Sequence, residues 1–170
     1  MKPGDVALFR PANPVGNAIA VFDQARYCHI RLVTDEDGGT IEADFKGAIK
    51  GHVQDGDVIV TAPLSDEQRD AILAAAEPLL GTPYGFADIA ALALSKLGVK
   101  LPFLSKRLAR PDRLFCSQLV DIVWQAVGFH AFDDGRPPQS VTPGDIADHA
   151  FVNSWPATTY HNADYHKVLM

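Results

Sequence analysis

The stretch that most constrains the fold is residues 27–34, in which His29 and Arg31 interrupt a run of apolar side chains at every second position. This alternation predicts a β-strand, because successive side chains of a strand point to opposite faces of a sheet. A turn rich in Asp and Gly follows at 35–39, and residues 40–45 continue as a second strand, so the two segments predict a β-hairpin. The predicted faces of the first strand are Cys28, Ile30 and Leu32 on one side and Tyr27, His29, Arg31 and Val33 on the other.

Other segments carry short strand patterns or helical spacing. Ser65 followed by Gln68 has the pattern of a capping box, which predicts that a helix begins there. Gly81 and Pro83 end that helix, since glycine favours the position after a helix and proline cannot continue it. Further strands are predicted at 6–9, 57–62 and near 151–154, and helices at 15–24, 66–80, 86–97 and 113–127.

Composition predicts one ordinary globular domain covering residues 1–170. Hydrophobic residues make up 47% and charged residues 21% of the 170 residues, which is typical of a chain that folds around its own core. The net charge of -6 makes nucleic acid an unfavourable partner. The basic residues gather only around Lys106, Arg107, Arg110 and Arg113.

The sequence favours a soluble protein without a signal peptide or a transmembrane segment. The longest apolar stretch, residues 86–94, contains Asp88 and falls well short of the roughly 20 residues that span a bilayer. Cys28 and Cys116 do not form the framework of a disulfide-rich secreted domain. The compartment is left open between a cytoplasmic and a phage-associated protein, and the oligomeric state is also left open.

Cys116 lies in the first turn of the helix predicted at 113–127. A helix start carries partial positive charge and free N–H groups, which favour a thiolate and can stabilise an oxyanion. The position therefore suits a nucleophile. The competing interpretation is a buried packing residue, the more common role of a free cysteine on an amphipathic helix.

His29 is the candidate base, because a neutral imidazole accepts a thiol proton near neutral pH. It precedes Cys116 by 87 positions, so only the fold can bring the two together. A lone histidine on a strand is otherwise usually structural or solvated.

Six short motifs, taken in order, resemble the circularly permuted papain-like cysteine hydrolases, the YiiX-like branch of the NlpC-type superfamily. Their order is the informative feature, because a histidine strand precedes a cysteine helix, the reverse of ordinary papain-like enzymes. The motifs are Lys2-Pro3-Gly4-Asp5-Val6, Tyr27-Cys28-His29-Ile30-Arg31-Leu32-Val33, Ile41-Glu42-Ala43, Pro83-Tyr84-Gly85-Phe86, Phe115-Cys116-Ser117-Gln118-Leu119-Val120 and Val141-Thr142-Pro143-Gly144-Asp145-Ile146.

The resemblance implies an α+β fold in which an antiparallel sheet packs against helices and the cysteine lies at a helix N-terminus. It also implies that Cys116 attacks, His29 activates it and Glu42 orients the imidazole, with Asp44 as the alternative carboxylate. Tyr84 and Ser117 are implied in binding substrate or the oxyanion. The sequence departs from the usual family residues at Gln118, Cys28 and Arg31.

No cofactor is expected. His161, Asp164 and His166 have a spacing that suggests a metal site, but no second group of ligands supports it, and a solvated tail is the preferred interpretation.

The expected function is hydrolysis of an amide bond in a peptide or N-acyl substrate, through an acyl-Cys116 intermediate. Thiol protease or amidase activity on cell-wall peptide, as in peptidoglycan, is the favoured example. Two alternatives stay open: a lipid-directed thiol acyltransferase or esterase, with residues 86–104 lining an acyl site, and a non-catalytic binding module on the same fold.

Overall fold

A computed structural model describes residues 1–10, 26–85 and 113–162 of the protein. The strands in these ranges are β1 (Val6–Phe9), β2 (His29–Val33), β3 (Gly39–Asp44), β4 (Gly47–His52), β5 (Val58–Val60) and β6 (Ala157–Thr159). The α-helices are α1 (Asp66–Ala76), α2 (Cys116–Ala126) and α3 (Pro143–Val152), and short 3-10 helices cover Glu77–Leu79 and Pro138–Ser140.

The six described strands form one sheet in the order β4-β3-β2-β1-β5-β6, and every neighbouring pair is antiparallel. The hairpin predicted from the alternation is confirmed as β2 and β3, which pair Leu32 with Ile41 and Val33 with Thr40. β1 lies between β2 and β5 at the centre of the sheet. The sheet with its helices makes an α+β fold.

The helices α1 and α2 join the sheet in the larger of two hydrophobic clusters, and a smaller cluster comprises Ala7, Val33, Val53 and Ile59. Trp124 of α2 is fully buried, and its indole N–H donates a 3.0 Å hydrogen bond to the carbonyl of Gly4. The core has its centre on apolar strand residues and the inner faces of α1, α2 and α3, including Val6, Leu8, Ile30, Leu32, Ile41, Ile72, Leu119, Val123 and Ile146. No helix in the described ranges is long and apolar enough to cross a membrane.

Side-chain caps begin two of the helices. Ser65 and Gln68 form the predicted capping box at α1, and Thr142 and Asp145 form a second one at α3. Each box satisfies backbone N–H groups that have no partner within the helix. The first-turn backbone N–H groups of α1 and α3 therefore have side-chain acceptors from the capping residues.

Some element boundaries differ from the prediction. The strand predicted near 151–154 is wrong, because Phe151 belongs to α3 and the last strand comes later, at β6. The strand β4 was not predicted. The helix predicted at 113–127 begins only at Cys116, because Leu114 forms a parallel β-bridge with Tyr84 instead. The helices predicted at 15–24 and 86–97 lie outside the described residues.

Candidate active site

The first residue of β2 and the first residue of α2 come together, and they are His29 and Cys116. The Cys116 side chain lies close enough to the His29 ring to act on its pKa, although 87 positions separate the two residues in the sequence. Cys116 is 3% exposed and the His29 side chain is 18% exposed, so the pair lies at the margin of the core. A thiol and an imidazole in contact are the two groups that nucleophilic thiol chemistry requires.

Glu42 of β3 holds the other side of the imidazole. The Nε2–H of His29 donates to Glu42 Oε2 at 2.6 Å. Since Nε2 is engaged in this way, Nδ1 is the ring nitrogen that remains for Cys116. Asp44, the alternative carboxylate, instead accepts a 2.7 Å hydrogen bond from the backbone N–H of Lys46 in the β3–β4 turn.

This arrangement favours the charged form of His29. Burial opposes a charge on the ring, but the negative charge and hydrogen bond of Cys116, together with those of Glu42, outweigh it and raise the pKa of His29 to about 9. Burial likewise opposes charge on Glu42, but the hydrogen bond from His29 and the positive charge of Arg31 lower the pKa of Glu42. At neutral pH the site therefore favours an imidazolium between a sulfur atom and a carboxylate.

Arg31 lies on the far side of Glu42 and connects it to a second carboxylate. Its Nε donates to Glu42 Oε2 at 3.0 Å, and its Nη1 donates to Asp57 Oδ2 at 2.7 Å. The side chains of Arg31 and Asp57 are 6% and 0% exposed. In the sequence, Arg31 is recognisable only as a departure from the family pattern. Asp57 lies just before β5 and carries no local sequence signal of its contact with Arg31.

The start of α2 lacks the caps found at α1 and α3. Its N-cap is Phe115 in an extended conformation, and no side chain accepts a hydrogen bond there. An apolar N-cap is unfavourable for a helix, by about 1 kcal/mol relative to Ser, Thr or Asp. Among the described residues, no N-cap side chain therefore competes for the first-turn N–H groups beside the thiol.

Tyr84 is held next to Cys116 by backbone pairing. Leu114 N donates to the carbonyl of Pro83, and Gly85 N donates to the carbonyl of Leu114, both at 3.0 Å. Burial, with the negative charges of Cys116 and Asp44, raises the pKa of Tyr84. Its hydroxyl therefore stays protonated and can act as a donor.

Ser117 and Cys28 are occupied by structural contacts. The Ser117 hydroxyl is fully buried and donates a 2.7 Å hydrogen bond to the carbonyl of Val141, so only its backbone N–H is left for the implied oxyanion role. Cys28 is a free, buried thiol whose sulfur lies 3.8 Å from the carbonyl of Phe9. Burial raises the pKa of Cys28, which disfavours its thiolate.

Of the tail residues with metal-like spacing, His161 lies within the described residues, and its ion-pair partner is Asp55. His161 Nδ1 lies 3.7 Å from Asp55 Oδ1 at the surface, while Asp164 and His166 lie outside the described residues. Across the ranges that the structure covers, no group of three or more His, Cys, Asp or Glu side chains is arranged to hold a metal ion.

The architecture has a solved counterpart. The protein has an α+β fold with an antiparallel sheet packed against helices, and a solved structure with the same fold is the metalloprotein YiiX from Escherichia coli O157:H7, of the DUF1105 group. The two share 18% sequence identity at a TM-score of 0.64, over 95% of this chain and 98% of that chain. At this identity the likeness shows a common fold alone. No protein-family model matches the sequence, and no curated protein matches it.

Proposed function

We propose that the protein is a cysteine hydrolase with the chain order of the permuted papain-like enzymes. The observation that carries the proposal is the placement of the His29 ring between Cys116, which raises the pKa of the ring, and Glu42, which accepts a hydrogen bond from Nε2 and leaves Nδ1 for the sulfur. A nucleophile, a base and an orienting carboxylate in this arrangement have the logic of a catalytic triad.

In the proposed reaction the Cys116 sulfur attacks the substrate carbonyl carbon and forms an S–C bond. The C–N bond then breaks, and the proton on His29 Nδ1 passes to the leaving nitrogen. In the second half, neutral His29 takes a proton from water, whose oxygen attacks the acyl-Cys116 carbonyl carbon. The C–S bond then breaks, which releases the acid and regenerates the Cys116 sulfur beside protonated His29. Glu42 holds the ring and stabilises its charged form throughout.

The oxyanion of each tetrahedral intermediate would be stabilised by donors around the start of α2. The backbone N–H groups of Cys116 and Ser117 lie at an uncapped, partially positive helix end. Tyr84 supplies a protonated hydroxyl from the neighbouring segment. The absent cap is consistent with this role, since a capping oxygen would compete for the same donors.

The donors in this site do not fit a metal ion, although the structural neighbour is a metalloprotein. Glu42 Oε2 already accepts hydrogen bonds from both His29 and Arg31. A guanidinium nitrogen 3.0 Å from that oxygen would repel a cation. No step of the proposed reaction is routed through a metal, and we expect activity to withstand chelators such as EDTA.

The preferred substrate class is an amide in a peptide or N-acyl compound, with peptidoglycan fragments as the first candidates. The test is a paired incubation of the protein with peptidoglycan fragments and, separately, with phospholipid or a thioester. Cys116→Ala serves as the control, and mass spectrometry follows both the products and an acyl adduct on Cys116.

Cys116-dependent release from the peptide alone supports the amidase. Release from lipid or thioester alone contradicts the amidase and favours the acyltransferase or esterase alternative. If neither substrate is cleaved and Cys116 is also unreactive toward alkylating agents, the non-catalytic binding module is favoured.

A further inference from the structure

Glu42 accepts a hydrogen bond from Arg31, and the Arg31 guanidinium is itself held by further contacts. The Arg31 guanidinium donates to Glu42 Oε2 and Asp57 Oδ2, and it lies 5.4 Å from the ring centroid of Phe9. Asp57 Oδ2 also accepts a 2.8 Å hydrogen bond from the backbone N–H of Gln54. The contacts from Gln54 to Glu42 therefore form a chain, buried at Arg31 and Asp57, that fixes the position of one carboxylate oxygen.

The strand next to Glu42 leaves space for the other oxygen. Gly51 of β4 pairs with Thr40, and a Cβ atom placed on Gly51 would lie 2.6 Å from Glu42 Oε1. Any side chain at this position would push the carboxylate away. Arg31 on one side and the bare backbone of Gly51 on the other thus define where Glu42 can lie.

We propose that Arg31, anchored by Asp57, is a positioning residue that aims Glu42 at His29. This inference rests on the proposed function, because it assigns Arg31 to the support of the same triad. Arg31 acts through Glu42 and has no contact of its own with His29 among the described hydrogen bonds.

A positioning role for Arg31 and a simple charge effect predict different changes in the pKa of His29. The titratable and charged groups around His29 are Glu42, Arg31 and Asp57 from the sheet, Cys116 from α2, and Tyr84 and Cys28 beside Cys116. If Arg31 and Asp57 acted only through their charges, removing both would leave the pKa of His29 unchanged or raised, because the nearer of the two lost charges is the positive one. If Arg31 positions Glu42, its removal frees the carboxylate and makes His29 harder to protonate.

The test is an NMR titration of the His29 imidazole in the Arg31→Met/Asp57→Asn double variant, with His29→Gln used to assign the signal. Both charges are removed together because a single deletion would leave a buried, uncompensated charge and could prevent folding. The matched control is Arg69→Met/Asp5→Asn, which removes a second buried arginine–aspartate pair of the described residues, at α1 and the N-terminal turn.

We expect the pKa of His29 to fall by roughly one pH unit or more in the Arg31→Met/Asp57→Asn variant and to stay near its native value in the control. An unchanged or raised pKa in that variant overturns the proposal. An equal fall in the control would also overturn it, since general loosening would then be the cause. Alkylation of Cys116 in the native protein tests the proposed function separately, so failure of one can be distinguished from failure of the other.

Discussion

Among the described residues, two buried arginines pair with aspartates, and their further hydrogen bonds reach different partners. Arg69 donates to Asp5 and to the backbone carbonyls of Pro3 and Ala62, so each of these bonds ties one part of the chain to another. Arg31 donates to Asp57 and to Glu42, and Glu42 in turn contacts His29. Burial does not separate the two, since the arginine side chains are 9% and 6% exposed.

The difference separates an ion pair that ties backbone segments together from one that contacts the candidate site. Around Arg69 the partners are backbone groups and one aspartate, which secure the N-terminal turn against α1. Around Arg31 the partners are two carboxylates, and one of them is shared with a titratable ring. Loss of Arg69 should therefore lower the free energy of unfolding, and loss of Arg31 and Asp57 should change the pKa of His29.

The largest effect is expected at Glu42, which accepts hydrogen bonds from both Arg31 and His29. Glu42→Gln removes the charge that stabilises the imidazolium, and we expect Cys116-dependent turnover to fall on the order of 10³-fold with the fold intact. Asp44→Asn, a matched change on the same strand, should have much less effect. Turnover and thermal unfolding of both variants provide the measurement, and a greater loss with Asp44→Asn would refute the assignment of Glu42.

The next largest effect is expected on the stability of the Arg69→Met variant. Arg69→Met leaves Asp5 buried without its cation, which should lower the free energy of unfolding by about 3–5 kcal/mol. Urea denaturation measures this loss. Under conditions where the variant is folded, the alkylation rate of Cys116 should match that of the native protein. A large change in that rate would show that the two arginine groups are not functionally separate.

A third prediction concerns pH. Since Cys116 and Glu42 raise the pKa of His29 to about 9, the imidazolium that protonates the leaving group in the proposed reaction persists through neutral pH. Activity should therefore decline only as the pH rises through about 9, where that proton is lost. In Cys116→Ala the same pKa should drop, because burial still opposes the charge and one of the anionic partners is gone. An NMR titration with an unchanged pKa in Cys116→Ala would mean that the sulfur is not in contact with His29.

The smallest effect is expected at Gly51, beside the second oxygen of Glu42. Gly51→Ala should displace the flexible end of Glu42 at little cost in stability, and turnover should fall roughly tenfold, because small misplacements of catalytic groups are costly. Lys50→Ala, an exposed neighbour on β4, is the control. Equal turnover in the two variants would mean that Glu42 tolerates displacement.

Local patterns in the sequence predict part of this architecture. The alternation at 27–34 fixes β2 and its hairpin partner, and the capping box at Ser65 fixes the start of α1. β4 was missed because glycines at both Gly47 and Gly51 weaken a strand pattern. The helix α3 was missed because Pro143 and Gly144 resemble a loop, although proline suits the first turn of a helix and Thr142 caps it.

The candidate site could be predicted from the sequence only through the order of its motifs. His29 and Cys116 carry no local signal of their contact, because contact between residues 87 positions apart depends on packing of α2 against the sheet. The contacts of Arg31 with Glu42 and Asp57 could not be predicted from the sequence for the same reason. Arg31 and Asp57 are 26 positions apart and meet only when β1 brings β2 and β5 to its two sides.

The reactivity of the two cysteines tests the central claim most directly. Both are buried free thiols, but Cys116 contacts His29 while Cys28 lies against the carbonyl of Phe9. Brief iodoacetamide labelling at neutral pH, followed by mass spectrometry, compares them within one molecule, with His29→Gln as the control. We predict that Cys116 is labelled much faster than Cys28 and that its advantage is lost in His29→Gln. Equal labelling, labelling of Cys28 alone, or a Cys116 rate that does not depend on His29 would contradict the account.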